Sequence, residues 1–149
     1  MAVSDVLKRS GRPVVTLESG RSVDDAIDAM SAGNASALIV TEKDLPVGIF
    51  SKRDVLRTYL RDKSRSFAAV RLGDAMTAKL ISAKPGDAID RAMQVMLEAG
   101  IGHLPVIADE KIIGLLTAGD LVEYRLAALD DELHHLKEYI ADLHEAGLD

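Results

Sequence analysis

The sequence predicts a mixed α/β (α+β) fold, in which two pseudo-symmetric β-α-β-β-α units pack through their sheets and a long helix follows the second unit. Three observations lead to this prediction. The length of 149 residues suits one compact domain. Residues 16–60 align without a gap on residues 82–126. A heptad pattern of apolar residues then continues toward the C-terminus.

The internal repeat is the strongest of these signals. At a shift of 66 residues, nine aligned positions are identical and the remaining apolar positions keep the same periodicity. The identical pairs are Gly20/Gly86, Asp24/Asp90, Ala26/Ala92, Met30/Met96, Leu38/Leu104, Val40/Val106, Gly48/Gly114, Asp54/Asp120 and Leu60/Leu126. A unit of roughly 60 residues buries too little surface to hold a core alone, so the two units are expected to form one module over residues 1–126.

Each unit is predicted to contain three strands and two helices. The strands are short apolar runs, the last two of each unit being joined by a hairpin turn. They are 13–17, 37–40 and 47–50 in the first unit, and 79–83, 104–107 and 112–117 in the second.

The first helix of each unit has recognisable ends. Ser22 and Asp87 are the predicted N-caps, each with an acidic residue three positions later in the first turn. Gly33 and Gly100 are the predicted stops. Between these ends the apolar residues recur with helical spacing, which gives each helix one buried stripe.

The repeat also divides the chain. We predict a first unit over residues 1–62, a polar and basic linker over 63–71, a second unit over 72–126 and a helical extension over 127–149.

Composition excludes several classes of protein. The absence of cysteine excludes disulfides, thiolate metal sites and cysteine nucleophiles. No apolar run approaches the roughly 20 residues that span a bilayer, and the N-terminus lacks the apolar block of a signal peptide. We therefore expect a cytoplasmic protein with no membrane partner. A net charge of −6 and only 3% aromatic residues argue against nucleic acid as a partner.

The charge is unevenly distributed. Residues 1–71 carry a net +3 and residues 72–149 a net −9, with the basic excess concentrated in 52–71. The basic run is either a phosphate-steering or acid-binding surface or simply a solvated face.

The sharpest local feature is a stretch that occurs in both units, VGIFSKRD at 47–54 and IGLLTAGD at 113–120. Each has a glycine, two apolar residues, a hydroxyl residue and, three positions later, an aspartate. A strand ends here and a helix begins, and the free N–H groups of a helix N-terminus favour phosphate.

Two interpretations of this stretch remain open. The hydroxyls of Ser51 and Thr117 can bind phosphate, and the carboxylates of Asp54 and Asp120 can accept hydrogen bonds from a ribose diol. Alternatively, the same residues form capping boxes that need no ligand. The repeated glycine favours a ligand, since a capping box does not require it.

Together, these features resemble the cystathionine-β-synthase (CBS) domain, two of which form a Bateman module. The resemblance rests on the duplicated β-α-β-β-α pattern, the GHLPVI sequence at 102–107 and the stretches at 47–54 and 113–120. The resemblance covers residues 3–126. It implies a regulatory module that binds an adenosyl ligand (AMP, ADP, ATP, NAD(H) or S-adenosylmethionine) in two related clefts, and that dimerises. AMP, ADP or ATP are the preferred ligands.

The resemblance also implies the site residues. Asp54 and Asp120 would hold the ribose. The implied hydroxyl ligands are Thr16, Ser51, Ser82 and Thr117.

The two clefts are expected to differ. The polar residue before LPV is His103 in the second unit, where the first unit has Ala37. Conversely, Arg53 replaces Gly119 and offers a phosphate partner. Before the resemblance is considered, His103 is better explained as a satisfied histidine at the start of a strand, and the resemblance reverses this preference in favour of a ligand.

Neither catalysis nor metal binding is predicted. The chain has no nucleophile elbow, no P-loop and no HExxH sequence. His134 and His135 lie near Glu138 on the C-terminal helix, but their spacing forms no open metal site.

The C-terminal extension predicts one helix from about residue 118 to 146. Its apolar residues are separated alternately by four and three positions: Val122, Leu126, Leu129, Leu133, Leu136, Ile140 and Leu143. We favour pairing of this helix with a second copy or a partner helix. The alternative is that it folds back over the module.

Two functional hypotheses follow. In the first, the chain is a stand-alone, homodimeric, non-enzymatic sensor of an adenosyl ligand that signals to a partner protein in trans. In the second, it is a structural or adaptor protein that acts through its heptad helix, with no physiological nucleotide.

Overall fold

The computed structural model describes residues 1–147, so the last two residues of the predicted extension 127–149 lie outside the described residues. The elements, in chain order, are α1 (Val3–Ser10), β1 (Thr16–Glu18), α2 (Val23–Ala32), β2 (Ala37–Glu42), β3 (Leu45–Ser51), α3 (Lys52–Arg61), α4 (Leu72–Ala75), α5 (Ile89–Ala99), β4 (His103–Ala108), β5 (Lys111–Thr117) and α6 (Ala118–Glu145). The predicted fold class is confirmed: two related units, each with a sheet, precede one long C-terminal helix.

The two sheets are not equal. In the first unit β1 pairs in parallel with β2, and β2 pairs antiparallel with β3. In the second unit β4 and β5 form an antiparallel pair. The prediction of a strand at 79–83 is wrong, because that segment makes only a single bridge between Ala83 and Val106.

Proline explains the missing strand. In the first unit the N–H of Ile39 donates to the carbonyl of Val15 (2.9 Å), which ties β1 to β2. The aligned position in the second unit is Pro105, which has no N–H to donate to the carbonyl of Ile81. The carbonyl of Pro105 still accepts from the N–H of Ala83 (2.9 Å), so only this end of the segment is held.

Both predicted hairpins are confirmed, and their turns are equivalent. The central residues are Lys43 and Asp44 in one turn and Asp109 and Glu110 in the other, with φ values of 51° and 64° in each case. Positive φ at both central residues is typical of a type I′ turn, whose twist matches that of the flanking strands.

One of the two predicted N-caps is correct. Ser22 caps α2, its hydroxyl accepting from the N–H of Asp25 (3.0 Å). Asp87 does not cap α5, which begins at Ile89; its carboxylate instead accepts from the N–H of Lys84 (2.8 Å) and closes the preceding turn. The predicted stops are confirmed, since Gly33 and Gly100 are the C-caps of α2 and α5.

The helix at the start of each unit packs into the core of the other. Val3 and Val6 of α1 are buried in the core of the second unit, and Leu72 and Ala75 of α4 are buried in the core of the first. The predicted linker ends inside this arrangement, because Val70 is buried beside Leu72. The exchange of α1 and α4 means that each core needs a helix contributed by the other unit.

The glycine of each repeated stretch lies where an exchanged segment crosses the sheet. A Cβ on Gly48 would come within 2.5 Å of Sδ of Met76 and 2.8 Å of the carbonyl oxygen of Thr77, and a Cβ on Gly114 would overlap the side chain of Leu7. The backbone of Thr77 also exchanges hydrogen bonds with Ile49 (2.8 and 3.0 Å). Packing therefore accounts for the repeated glycine without a ligand.

The predicted C-terminal helix is confirmed as α6, whose 28 residues span roughly 42 Å. Leu121 is its one buried residue among those described. Fold-back over the module is wrong for the described residues, because the heptad leucines from Leu126 to Leu136 are 46–61% exposed.

Replacing Gly48 by alanine should destabilise the fold by about 1–3 kcal/mol, because the new methyl group meets a backbone carbonyl that is fixed in a bridge. Gly114→Ala should cost less, since the flexible end of Leu7 can move. Gly86→Ala, whose Cβ meets nothing within 4 Å, is the matched control. Urea unfolding measures all three; equal midpoints for Gly48→Ala and Gly86→Ala would contradict the packing role.

Candidate adenosyl-binding cleft

A cavity of about 710 Å³ lies between the two units. The first unit contributes the segment before β1, the end of α2 with the loop into β2, and the start of α3. The second unit contributes three residues, His103, Leu115 and Thr117. Its volume falls within the range of small-molecule sites, and both units must be in place to form it.

The start of α6 forms a polar corner beside this cavity. Thr117 caps the helix: its hydroxyl accepts from the N–H of Asp120 (3.1 Å), and its own N–H donates to Oδ2 of Asp120 (2.8 Å). The guanidinium of Arg12 donates to the same Oδ2. The capping interpretation is therefore correct here, but it uses only one carboxylate oxygen. Among the described residues, the hydrogen bonds to this carboxylate all fall on Oδ2, and Oδ1 accepts none.

His103 faces the cavity from the first position of β4. Its Nε2 lies 2.7 Å from Oγ of Ser36, which joins the two units by a hydrogen bond. Burial lowers the pKa of His103 from its ordinary value of 6.5; the nearby charge of Asp120 raises it, and the cations Arg12 and Arg53 lower it. The imidazole is consequently neutral at pH 7.

The equivalent corner at the start of α3 is already filled. Asp54 is 2% exposed, and its Oδ2 accepts from the N–H of Ser51 (2.9 Å) and from the Ser51 hydroxyl (3.3 Å). Its Oδ1 accepts from Arg57 (2.9 Å) and from the hydroxyl of Thr77 (2.9 Å). The first unit has Gly11 at the position aligned with Thr77, so no hydroxyl reaches Asp120 in this way. The two corners therefore differ. Among the described residues, the Asp120 carboxylate has one oxygen that accepts no hydrogen bond, whereas both oxygens of Asp54 accept.

The remaining candidate residues lie apart from this corner. Thr16 is the exposed first residue of β1, and Ser82 is exposed next to the bridge at Ala83. Neither is among the residues that line the cavity. Arg53 is exposed on the first turn of α3, close enough to His103 to influence its pKa.

Sequence reasoning missed five polar residues of the cavity: Arg12, Ser31, Asn34, Ser36 and Lys52. Lys52 lies inside the repeated stretch but aligns with Ala118, so the repeat gave no reason to single it out. Ser36 immediately precedes the position aligned with His103, which was an available signal. Arg12 precedes the repeat, and only the fold brings it to Asp120.

Two negative findings apply to the described part of the chain. No cluster of three or more His, Asp or Glu side chains there is arranged to hold a metal ion. In the same residues no helix has the length and apolar character needed to cross a membrane.

The pKa of His103 predicts a pH dependence of stability. Since its pKa is lower in the folded state, the unfolded chain binds more protons as the pH falls below 6.5, so the stabilisation present above that pH is progressively lost. His103→Gln should reduce the loss of unfolding free energy between pH 7.5 and pH 5.5. His135→Gln, at an exposed position on α6, is the control; an unchanged pH slope in His103→Gln would contradict the assignment.

Comparisons with known proteins agree with this architecture. A protein-family model described as CBS domain matches residues 3–61 and 72–127. The chain is 35% identical over 147 residues to the CBS domain-containing protein CBSX3, mitochondrial, of Arabidopsis thaliana, covering 93% of this chain and 71% of that protein. A solved CBS-domain protein of Burkholderia ambifaria has 36% identity and a TM-score of 0.78, with 85% of this chain and 95% of that chain covered.

Two more distant structures were solved with ligands. A CBS domain protein of Pyrobaculum aerophilum, complexed with AMP, has 20% identity and a TM-score of 0.71 and covers 80% of this chain and 89% of its own. The CBS domain pair of protein MJ0100, complexed with 5′-methylthioadenosine and S-adenosyl-L-methionine, has 22% identity and a TM-score of 0.75 and covers 86% and 98%. At these identities the likeness shows the fold alone.

The duplicated sequence, the exchanged helices and the two family matches describe the same two units. The chain belongs to the CBS domain family and carries the domain twice, as a pair within one module.

Proposed function

We propose that this CBS pair is a regulatory module that binds one adenosyl ligand in the cavity between its units. The observation that carries the proposal is the corner at Asp120, whose carboxylate has an unused oxygen and is bonded to Thr117 and Arg12, two residues that line a cavity of about 710 Å³. The adenosyl compounds bound by the two distant CBS structures support the choice of ligand class.

The proposed binding mode assigns each wall a part of the ligand. Oδ1 of Asp120 accepts from the ribose diol, and the hydroxyl of Thr117 lies beside it at the start of α6. The apolar wall formed by Val15, Ile27 and Met30 suits the flat faces of adenine. The neutral imidazole of His103, already bonded to Ser36, adds a polar contact that does not depend on charge.

The charges at the cavity favour a phosphorylated ligand. Arg12 and Lys52 line it, and no acidic residue is among its lining residues. An Arg–phosphate contact is charge-assisted and often bidentate, so AMP, ADP or ATP is favoured over the cationic S-adenosylmethionine. Arg12 contacts Oδ2 of Asp120, so its guanidinium is held beside the proposed ribose site while Oδ1 accepts from the ribose.

We assign one ligand to each chain. Asp54, Ser51 and Thr77 satisfy one another at the second corner, so a ribose there would have to break existing hydrogen bonds. Thr16, Ser82 and Arg53 remain proposals of lower rank, since their side chains, unlike that of Asp120, make no hydrogen bond to a residue that lines the cavity among those described.

Regulation in this proposal is exerted on a partner protein in trans, by a homodimer, without catalysis by this chain. An exposed apolar surface on α3 (Leu56, Tyr59 and Leu60) and its pseudo-symmetric counterpart on α6 (Val122 and Leu126) suit dimerisation. A cytoplasmic location is part of the proposal and rests on the composition alone.

The second candidate function is that of an adaptor without a physiological nucleotide. The exposed heptad seam of α6 favours it, because such a surface can bind a partner whatever the cavity contains. The two functions are distinguished by whether the cavity binds an adenosyl ligand through Asp120.

The test is calorimetry with AMP, ATP, NADH and S-adenosylmethionine at concentrations up to about 1 mM. Asp120→Asn should weaken AMP binding at least about tenfold, because a hydrogen bond to a charged group is lost. Asp24→Ala, which removes an exposed first-turn carboxylate of α2, is the matched control and should bind normally. If none of the four ligands gives a binding signal, the sensor function is contradicted and the adaptor function is favoured.

The preference for phosphate has its own test. In the double variant Arg12→Ala/Lys52→Ala, affinity for AMP should fall at least about tenfold while affinity for adenosine changes little, since only the phosphate loses partners. Lys111→Ala, an exposed charge at the start of β5, controls for overall charge. Equal losses for AMP and adenosine would contradict the assignment of these cations to the phosphate.

A further inference from the structure

The C-terminal half of α6 presents an apolar stripe that nothing in the described residues covers. Leu126, Leu129, Leu133, Leu136 and Ile140 are between 45% and 61% exposed on this one helix. Isolated exposed leucines are common, but a contiguous row of them along several turns marks an interaction surface. We call this stripe, together with Val122 and Leu143, the α6 seam.

The spacing of the α6 seam fits a left-handed coiled coil. Steps of four and three residues place Leu126, Leu133 and Ile140 at a positions. The d positions are Val122, Leu129, Leu136 and Leu143. No charged residue interrupts either row, and no glycine or proline lies between Val122 and Leu143. The seam therefore extends over three complete heptads, enough for a stable pairing once a second helix is supplied.

The charges beside the seam identify a second copy of this chain as the occupant. In a parallel, in-register pair each g residue faces the e residue five positions later on the other helix. Arg125 at g then faces Asp130, and Glu132 at g faces Lys137. Both contacts join opposite charges, and two-fold symmetry makes four such contacts.

The antiparallel arrangement is less complementary. With Leu133 level with Leu136 of the other helix, e residues face e residues and g residues face g residues, so Asp130 meets Lys137 but Glu132 meets Tyr139. Only one type of opposite-charge contact remains. Charge at e and g positions sets helix orientation, so the sequence of α6 favours the parallel pair.

The α6 seam is also continuous with the apolar surface of the module. Val122 and Leu126 belong to both, and their counterparts Leu56 and Leu60 lie exposed at the same positions of α3. A second copy that pairs along α6 thus begins its contact on the module itself.

We propose that α6 forms a parallel, in-register, two-stranded coiled coil with α6 of a second copy over residues 122–143. The proposal does not depend on any ligand. It has a consequence for the cleft, however, because Thr117 and Asp120 cap the same helix and each cleft is thereby tied to the dimer axis.

The oligomeric state of the 149-residue chain tests whether a second copy covers the α6 seam. By light scattering at about 20 μM the wild type should be a dimer, and Leu129→Asp/Leu136→Asp should be a monomer. Leu97→Asp makes the same chemical change at a leucine that is 83% exposed on α5, so it should remain a dimer. A monomeric wild type, or a seam variant that is folded by circular dichroism and still dimeric, would overturn the proposal.

Because the chain has no cysteine, single cysteines test the orientation cleanly. In the parallel pair Leu129→Cys should form a disulfide-linked dimer with itself under mild oxidation, and so should Ile140→Cys. In the antiparallel pair residue 129 lies level with residue 140, so only a mixture of the two variants would cross-link. Cross-linking confined to the mixture would overturn the parallel arrangement.

Discussion

The segment at the start of each unit crosses to the other unit, and this crossing holds the structure together. α1 fills the core of the second unit and α4 fills the core of the first. Each crossing segment lies against a sheet at a glycine, Gly114 or Gly48, because no side chain would fit between them. A unit of this size would be marginal alone, and the exchange makes the two cores interdependent.

The same crossing makes the two aspartate corners different. The chain that leaves α4 brings Thr77 beside Asp54, where its hydroxyl completes the hydrogen bonds of a buried carboxylate. The chain that leaves α1 brings Gly11 and Arg12 to the corresponding place, so Asp120 receives a half-exposed cation on one oxygen only. Two nearly identical sequence stretches therefore acquire different chemistry from the segments packed against them.

Much of this arrangement could be predicted from the repeat, because helical and strand periodicities are local. The hairpins, the Ser22 cap and the extent of α6 depend on neighbouring residues, and the sequence predicted all of them. Apart from the Asp87 cap, where a local turn prevails, the errors came from longer-range effects. A strand at 79–83 fails because Pro105 lacks an N–H. The place of Arg12 in the cleft depends on a contact with Asp120, which lies 108 positions away, and no local pattern encodes such a contact.

We infer that AMP binds at the Asp120 corner and not at the Asp54 corner. A crystal structure of the protein grown with millimolar AMP tests this difference most directly. The account predicts one AMP per chain, with its ribose on Asp120 and its phosphate near Arg12 and Lys52, and an intact Asp54–Thr77 hydrogen bond in the other corner. AMP bound against Asp54 with the Asp120 corner empty would contradict it.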